Sequence, residues 1–239
     1  MHALAAAFGA EGTSGTQCIA DMACIAFFFL LRPGEYTGTT GDNAPFRLRD
    51  VQLFIGLRRL SLMTAPLADL QAATHTSLTF TDQKNGVRGE VVNHSRSGSP
   101  LTCPVLAIIR RIVHLREHHA PLDMPLASYY SDINNRRYAV SAKNITDTLR
   151  ASVHALGPHL GFLPGDISAR SLRAGGATAL LCADVDDQKI RMLGRWQSDA
   201  MMRYLHLQAQ PVMRHFARLM LDGGNYVVEP GQYVPMAAA

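Results

Sequence analysis

Residues 77–93 read Ser-Leu-Thr-Phe-Thr-Asp-Gln-Lys-Asn-Gly-Val-Arg-Gly-Glu-Val-Val-Asn. Asn85-Gly86 supplies the two positive-φ positions of a type I′ turn, and the flanking runs are rich in β-branched and aromatic residues. The stretch therefore predicts a β-hairpin over 77–93 with Lys84 at its tip. Upstream, residues 47–62 alternate polar and apolar side chains well enough for two more short strands.

The rest of the chain reads as helix. A Gly-, Ser- and Thr-rich entry over 9–16 precedes an apolar helix over about 16–31, which Pro33-Gly34 stops. After Pro104, Val105, Ile108, Ile109, Ile112 and Leu115 form an amphipathic stripe that runs to His118. Ser141 caps a second stripe of Ile145, Leu149, Val153 and Leu156 that Gly157 ends. Further helices are expected over 171–183, 186–193, 199–208 and 211–221. One small antiparallel sheet in a mostly helical chain makes the fold class α+β, with a flexible segment over 1–15, one domain over 16–222 and an extended tail over 223–239.

Composition removes several classes. The chain has 239 residues, 47% hydrophobic and 18% charged, enough for a sizeable core, and its net charge of +4 suits an anionic partner. The longest apolar run, residues 22–31, is about half of the roughly 20 residues that cross a bilayer. With no Lys or Arg ahead of the short apolar stretch over 4–8, an intracellular location is expected. Cys18, Cys24, Cys103 and Cys182 form no Cys-x-x-Cys pair, and the chain has no P-loop, dinucleotide, nucleophile-elbow or zincin motif. His114, His118 and His119 read as a solvated helix face rather than a metal site.

The informative residues are separated basic groups that end in a tyrosine. Arg32-Pro33-Gly34-Glu35 places an arginine at a helix end with a carboxylate three residues on, and Lys84 follows on its hairpin. Ser168-Ala-Arg-Ser-Leu-Arg-Ala-Gly-Gly comes next, then Leu193-Gly-Arg-Trp-Gln, then Tyr204-Leu-His. Taken singly, each has an ordinary explanation: a helix-end ion pair for Arg32 and Glu35, turn chemistry for Lys84, packing for Arg173 beside Gly175-Gly176, and core burial for Tyr204.

Together, their order and spacing resemble the catalytic domain of tyrosine recombinases, the phage integrase family, over roughly residues 16–210. The Gly-Arg-Trp element is similar to that of recombinases in DIRS-like eukaryotic mobile elements. The resemblance implies a mostly helical fold with a small antiparallel sheet, and a site of Arg32, Glu35, Lys84, Arg170, Arg173, Arg195, Trp196 and Tyr204. Tyr204 lies nine residues after Arg195, as the family pattern has it. Arg170 stands in a slot that holds histidine in the family, and Arg195 in one that holds histidine or tryptophan. An arginine can donate to phosphate there but cannot accept a proton. His206 is the candidate general base.

The implied activity is cleavage and rejoining of DNA strands, for site-specific recombination or integration, through a 3′-phosphotyrosyl intermediate, with no metal and no cofactor. The implied partners are double-stranded DNA and three further copies of the chain, in a tetramer on two duplexes, in the nucleus if the source is eukaryotic. With 31 residues before Arg32, the helical clamp domain that usually precedes the first arginine is expected to be absent from this chain. From 167 to 219, eight basic residues face four acidic ones, and Arg110-Arg111 and Arg136-Arg137 are expected to extend that basic surface. Two other functions fit the residues: a catalytically inactive DNA-binding relic of the same fold, and a helical protein-interaction domain.

Overall fold

The computed structural model describes residues 13–37, 45–81, 89–156, 161 and 163–196. Within them the chain is α+β, with seven α-helices and antiparallel β-sheet. Helix α1, Ser14–Phe28, starts where the Thr13 side chain accepts the Thr16 amide and buries Cys18, Met22, Cys24 and Ile25. With apolar residues on most sides, it forms the centre on which the later helices pack. Leu30 turns into the left-handed region at φ 50°, and Pro33 then opens the short helix α2, Pro33–Tyr36.

The sheet follows. Strands β1 (Val51–Ile55) and β2 (Arg58–Leu60) join through Gly56 at φ +54°. After helix α3 (Leu67–Gln71), β3 (His75–Phe80) pairs with both β1 and β4 (Glu90–Ser95), giving the order β2-β1-β3-β4. The two predicted strands do pair, but the register Leu78↔Val92 and Phe80↔Glu90 is shifted by one residue from the Leu78↔Asn93 and Phe80↔Val91 pairing that a two-residue Asn85-Gly86 turn requires, and the Gly89 amide donates to Phe80 O at 2.8 Å. The Asn85-Gly86 turn and Lys84 lie outside the described residues. Val51, Leu53, Leu78, Phe80 and Val92 are buried, the alternation expected of a half-covered sheet.

Helix α4, Pro104–Glu117, buries the whole predicted stripe. A second sheet, β5 (Ser128–Tyr130) with β6 (Arg137–Ala139), has no counterpart in the sequence prediction. Its strands are too short for a periodic signal, and the local clue was the Asn134-Asn135 turn, with Asn135 at φ 52°. Helix α5, Ala142–Leu156, has Ser141 and Asn144 bonded reciprocally at its start and buries Ile145, Leu149 and Val153, while Leu156 is exposed. Helices α6 (Ser171–Cys182) and α7 (Asp187–Gly194) follow, the latter capped by the Asp186 carboxylate. The predicted helices beyond residue 196 lie outside the described residues.

Two expectations are corrected. His114 and His118 do not form a solvated face. His114 Nε2 accepts the Tyr130 amide at 3.0 Å, and His118 stacks on the Tyr130 ring with centroids 4.3 Å apart. Arg110 and Arg111 likewise work inside the molecule. Arg111 is buried and donates to Leu126 O and Ser128 O, and Arg110 pairs with the buried Asp21 carboxylate at 2.6 Å. Arg136 and Arg137 are exposed.

Helix α6 lies so close to the end of α1 that a Cβ on Gly176 would collide with the Phe27 carbonyl oxygen and Leu30 Cδ2. A Cβ on Gly175 would meet Phe27 Cε2 at an ordinary 3.7 Å. In urea denaturation, Gly176→Ala is expected to lose about 1–3 kcal/mol by overpacking. Gly175→Ala should equal or slightly exceed the native stability because alanine favours helix.

Burial, with smaller contributions from Arg111 and His118, pulls the His114 imidazole down from 6.5 to about 4. The unfolded chain thus binds a proton at this residue where the folded chain does not. Stability from this group is full above about pH 6.5 and lost as pH falls toward 4. Thermal melts across that window should fall less steeply for His114→Gln than for the native chain.

Candidate functional site

The site is built on the C-terminal end of α1. A helix ends with carbonyls that lack intrahelical donors, and at this end they point into protein rather than water. No Lys or Arg lies in the last turn of α1 to supply those donors. The Phe29 and Leu31 amides close on Ile25 O and Ala26 O, and two arginines from distant elements answer the next carbonyls, those of Phe29 and Leu30 just past the helix end. Arg173, on α6, donates to Leu30 O and, at 2.5 Å, to Gly194 O, bridging the ends of α1 and α7. Arg195 donates to Phe29 O (3.1 Å), Leu30 O (3.1 Å) and Leu193 O (3.0 Å).

Local backbone explains how they reach it. Arg195 closes α7 in the left-handed conformation at φ 57°, which turns the chain sharply enough for Trp196 to fold back over Gly194. A Cβ on Gly194 would overlap the indole ring. The Arg173 guanidinium lies 4.1 Å from the Trp196 ring centroid, and that of Arg195 lies 3.7 Å from the ring centroid of Phe80 on β3. Phe80 therefore brings the root of the β3–β4 hairpin to the cluster.

Arg32 precedes a proline, is held extended for that reason, and stands at the start of α2. Glu35 Oε2 accepts the Arg32 amide at 2.7 Å, and Oε1 accepts Arg32 Nη1 at 3.0 Å. The same carboxylate accepts Arg195 Nη2 at 3.3 Å. One carboxylate thus sits between two guanidinium groups. Burial pulls the Arg195 guanidinium down to about 10, with Glu35 opposing the shift and Arg32 adding to it, so Arg195 remains charged near neutral pH.

Five of the predicted site residues, Arg32, Glu35, Arg173, Arg195 and Trp196, therefore meet in one place. Arg170 is exposed at the start of α6, one turn before Arg173. Lys84, Tyr204 and His206 lie outside the described residues. The sequence prediction missed two residues that assemble the cluster. Phe80 was quoted only as a strand residue. Tyr36, buried next to Glu35, donates its hydroxyl to Ala169 O at 2.9 Å and so links the Arg32 turn to the residue before Arg170. The Ala169 amide donates in turn to Thr146 Oγ1 at 3.0 Å. A large aromatic beside a Pro-Gly turn was the available signal.

The cluster carries net positive charge, with Arg32, Arg173 and Arg195 around Glu35, and its chemistry suits an anion. Arg32 is its open side: 30% of its side chain is exposed, against 2% for Arg195. Among the described residues no group of three or more His, Cys, Asp or Glu could hold a metal ion, and no helix is long and apolar enough to cross a membrane. The chain matches no protein-family model, no curated protein and no solved structure.

Arg173→Met should lose about 1–3 kcal/mol in urea denaturation, because the buried Gly194 carbonyl loses the Arg173 donor while Leu30 O keeps that of Arg195. Arg170→Ala, at an exposed position, should stay within about 0.5 kcal/mol of the native chain.

Proposed function

We propose that this chain is a DNA strand transferase of the tyrosine recombinase kind, cleaving and rejoining DNA through Tyr204. The observation that carries the proposal is the convergence of the Arg32–Glu35 turn, the root of the β3–β4 hairpin, Arg173 and the Arg195-Trp196 element around the end of α1. These segments are far apart in sequence, and the family resemblance rests on the same ones. An α+β chain with a small antiparallel sheet and net positive charge in that cluster also suits the proposal.

The chemistry follows from charge. A phosphodiester repels nucleophiles, and its pentacovalent transition state concentrates charge on the non-bridging oxygens. Guanidinium forks stabilise that charge through paired hydrogen bonds that tighten as it develops. Arg32, a half-buried fork more open than Arg173 or Arg195, is the first candidate to meet the phosphate. The Tyr204 Oη attacks phosphorus, the bond to the 5′ oxygen breaks, and the DNA 3′ end remains as a phosphotyrosyl ester. Lys84 protonates the departing 5′ oxygen, and His206 is the candidate acceptor for the tyrosine proton. A 5′ hydroxyl reverses the step and rejoins the strand. Double-stranded DNA is the partner, and the working form is a tetramer on two duplexes.

One observation favours a second function, an inactive DNA-binding relic. The Arg173 and Arg195 guanidinium groups are 4% and 5% exposed as residues and engage backbone carbonyls.

Covalent trapping separates the two. Nicked suicide duplexes from a sequence pool are incubated with the native chain and with Tyr204→Phe, then resolved on a denaturing gel. A protein–DNA adduct that requires Tyr204 is expected. Salt-sensitive binding without any adduct would instead identify the relic, and no binding at all would remove both, because phosphate contacts must weaken as salt rises.

A further inference from the structure

We infer that Arg195 is a positioning residue, which holds Arg32 in place through Glu35, and not a ligand of the phosphate. The inference rests on the recombinase proposal above and departs from the role that Arg195 takes from the resemblance, where its slot donates to the phosphate. Its guanidinium donates to the carbonyls of Phe29, Leu30 and Leu193 and to the Glu35 carboxylate. One face of the guanidinium is covered by Phe80, and the side chain is 2% exposed. Its left-handed backbone and the fold-back of Trp196 over Gly194 direct it inward.

Glu35 passes that order outward. A carboxylate held only by Arg32, three residues away, can rotate together with it, and an exposed pair of that kind fixes little. Here Oε2 is held by the Arg32 backbone amide at 2.7 Å and, from the protein interior, by Arg195 Nη2 at 3.3 Å, and the second bond fixes the plane in which Oε1 meets Arg32 Nη1. Charge adds to the effect. Arg32 with Glu35 alone is neutral, and Arg195 adds a positive charge to that pair, with the Glu90 carboxylate also acting on Arg195. Arg195 thus fixes where the Arg32 fork points and keeps the field at that fork attractive to a phosphate.

The test is a double-mutant cycle on the rate of adduct formation, at saturating nicked DNA of the sequence recovered from the native adduct. Arg32→Ala is expected to slow the reaction on the order of a hundredfold. Arg195→Lys, which keeps the charge and loses the fork, should slow the native background on the order of tenfold. In the Arg32→Ala background Arg195→Lys should change the rate by less than about twofold, because a residue that acts through another has no effect once that residue is gone. Glu35→Gln should follow the same pattern and serves as the second variant if Arg195→Lys does not fold. An equal loss in both backgrounds, or no loss in the native one, would overturn the inference while leaving the recombinase proposal intact. A native chain that forms no adduct would overturn that proposal first, and the inference with it.

Discussion

The carbonyls at the buried end of α1 are the constraint on which the rest of the structure depends. A helix C-terminus carries unpaired acceptors and the negative end of the helix dipole, and both must be answered when it is buried. Phe29 and Leu30 receive their donors from Arg173 and Arg195, 143 and 165 residues from Leu30 along the chain. This demand ties α6 and α7 to the central helix. The apolar cluster at that junction is small, built on Leu30, Ala177, Ile190 and Trp196. Charge-assisted hydrogen bonds in a water-poor setting therefore carry much of the attachment, and the close helix crossing at Gly176 lets the guanidinium groups reach their acceptors.

The same solution leaves positive charge at one point on the molecule. Burying guanidinium groups is unfavourable unless they are fully bonded, and backbone carbonyls bond them without cancelling their charge. The Glu35 carboxylate is shared by two of the arginines. The packing device that closes the core is therefore also an anion-attracting one, with Arg32 on its open side. Structure and candidate chemistry draw on a single set of residues.

Much of the fold was legible in the sequence for local reasons. The α4 stripe from Val105 to Leu115, the Ser141 start of α5 and the β3–β4 hairpin all follow from periodicity or turn chemistry within about fifteen residues. The β5–β6 pair was not legible, because three-residue strands have no period to detect. His114 shows another limit. On its helix it occupies a polar-looking position, yet Tyr130, from a strand the sequence did not predict, turns it into a buried-side acceptor. Arg110 and Arg111 looked like a basic surface and instead answer Asp21 and the carbonyls of Leu126 and Ser128.

By itself the sequence determined the long helices and the strands of the larger sheet, and it grouped Arg32, Glu35, Arg173, Arg195 and Trp196 with Lys84, Arg170 and Tyr204 through their order and spacing. Tertiary structure alone decided that Arg173 and Arg195 face inward, that Glu35 serves two arginines, and that Phe80 and Tyr36 join the cluster. The reason is physical. Periodicity and caps depend on neighbours along the chain, whereas the partner of a guanidinium depends on which carbonyls packing has left without donors, and that is settled only when distant helices meet.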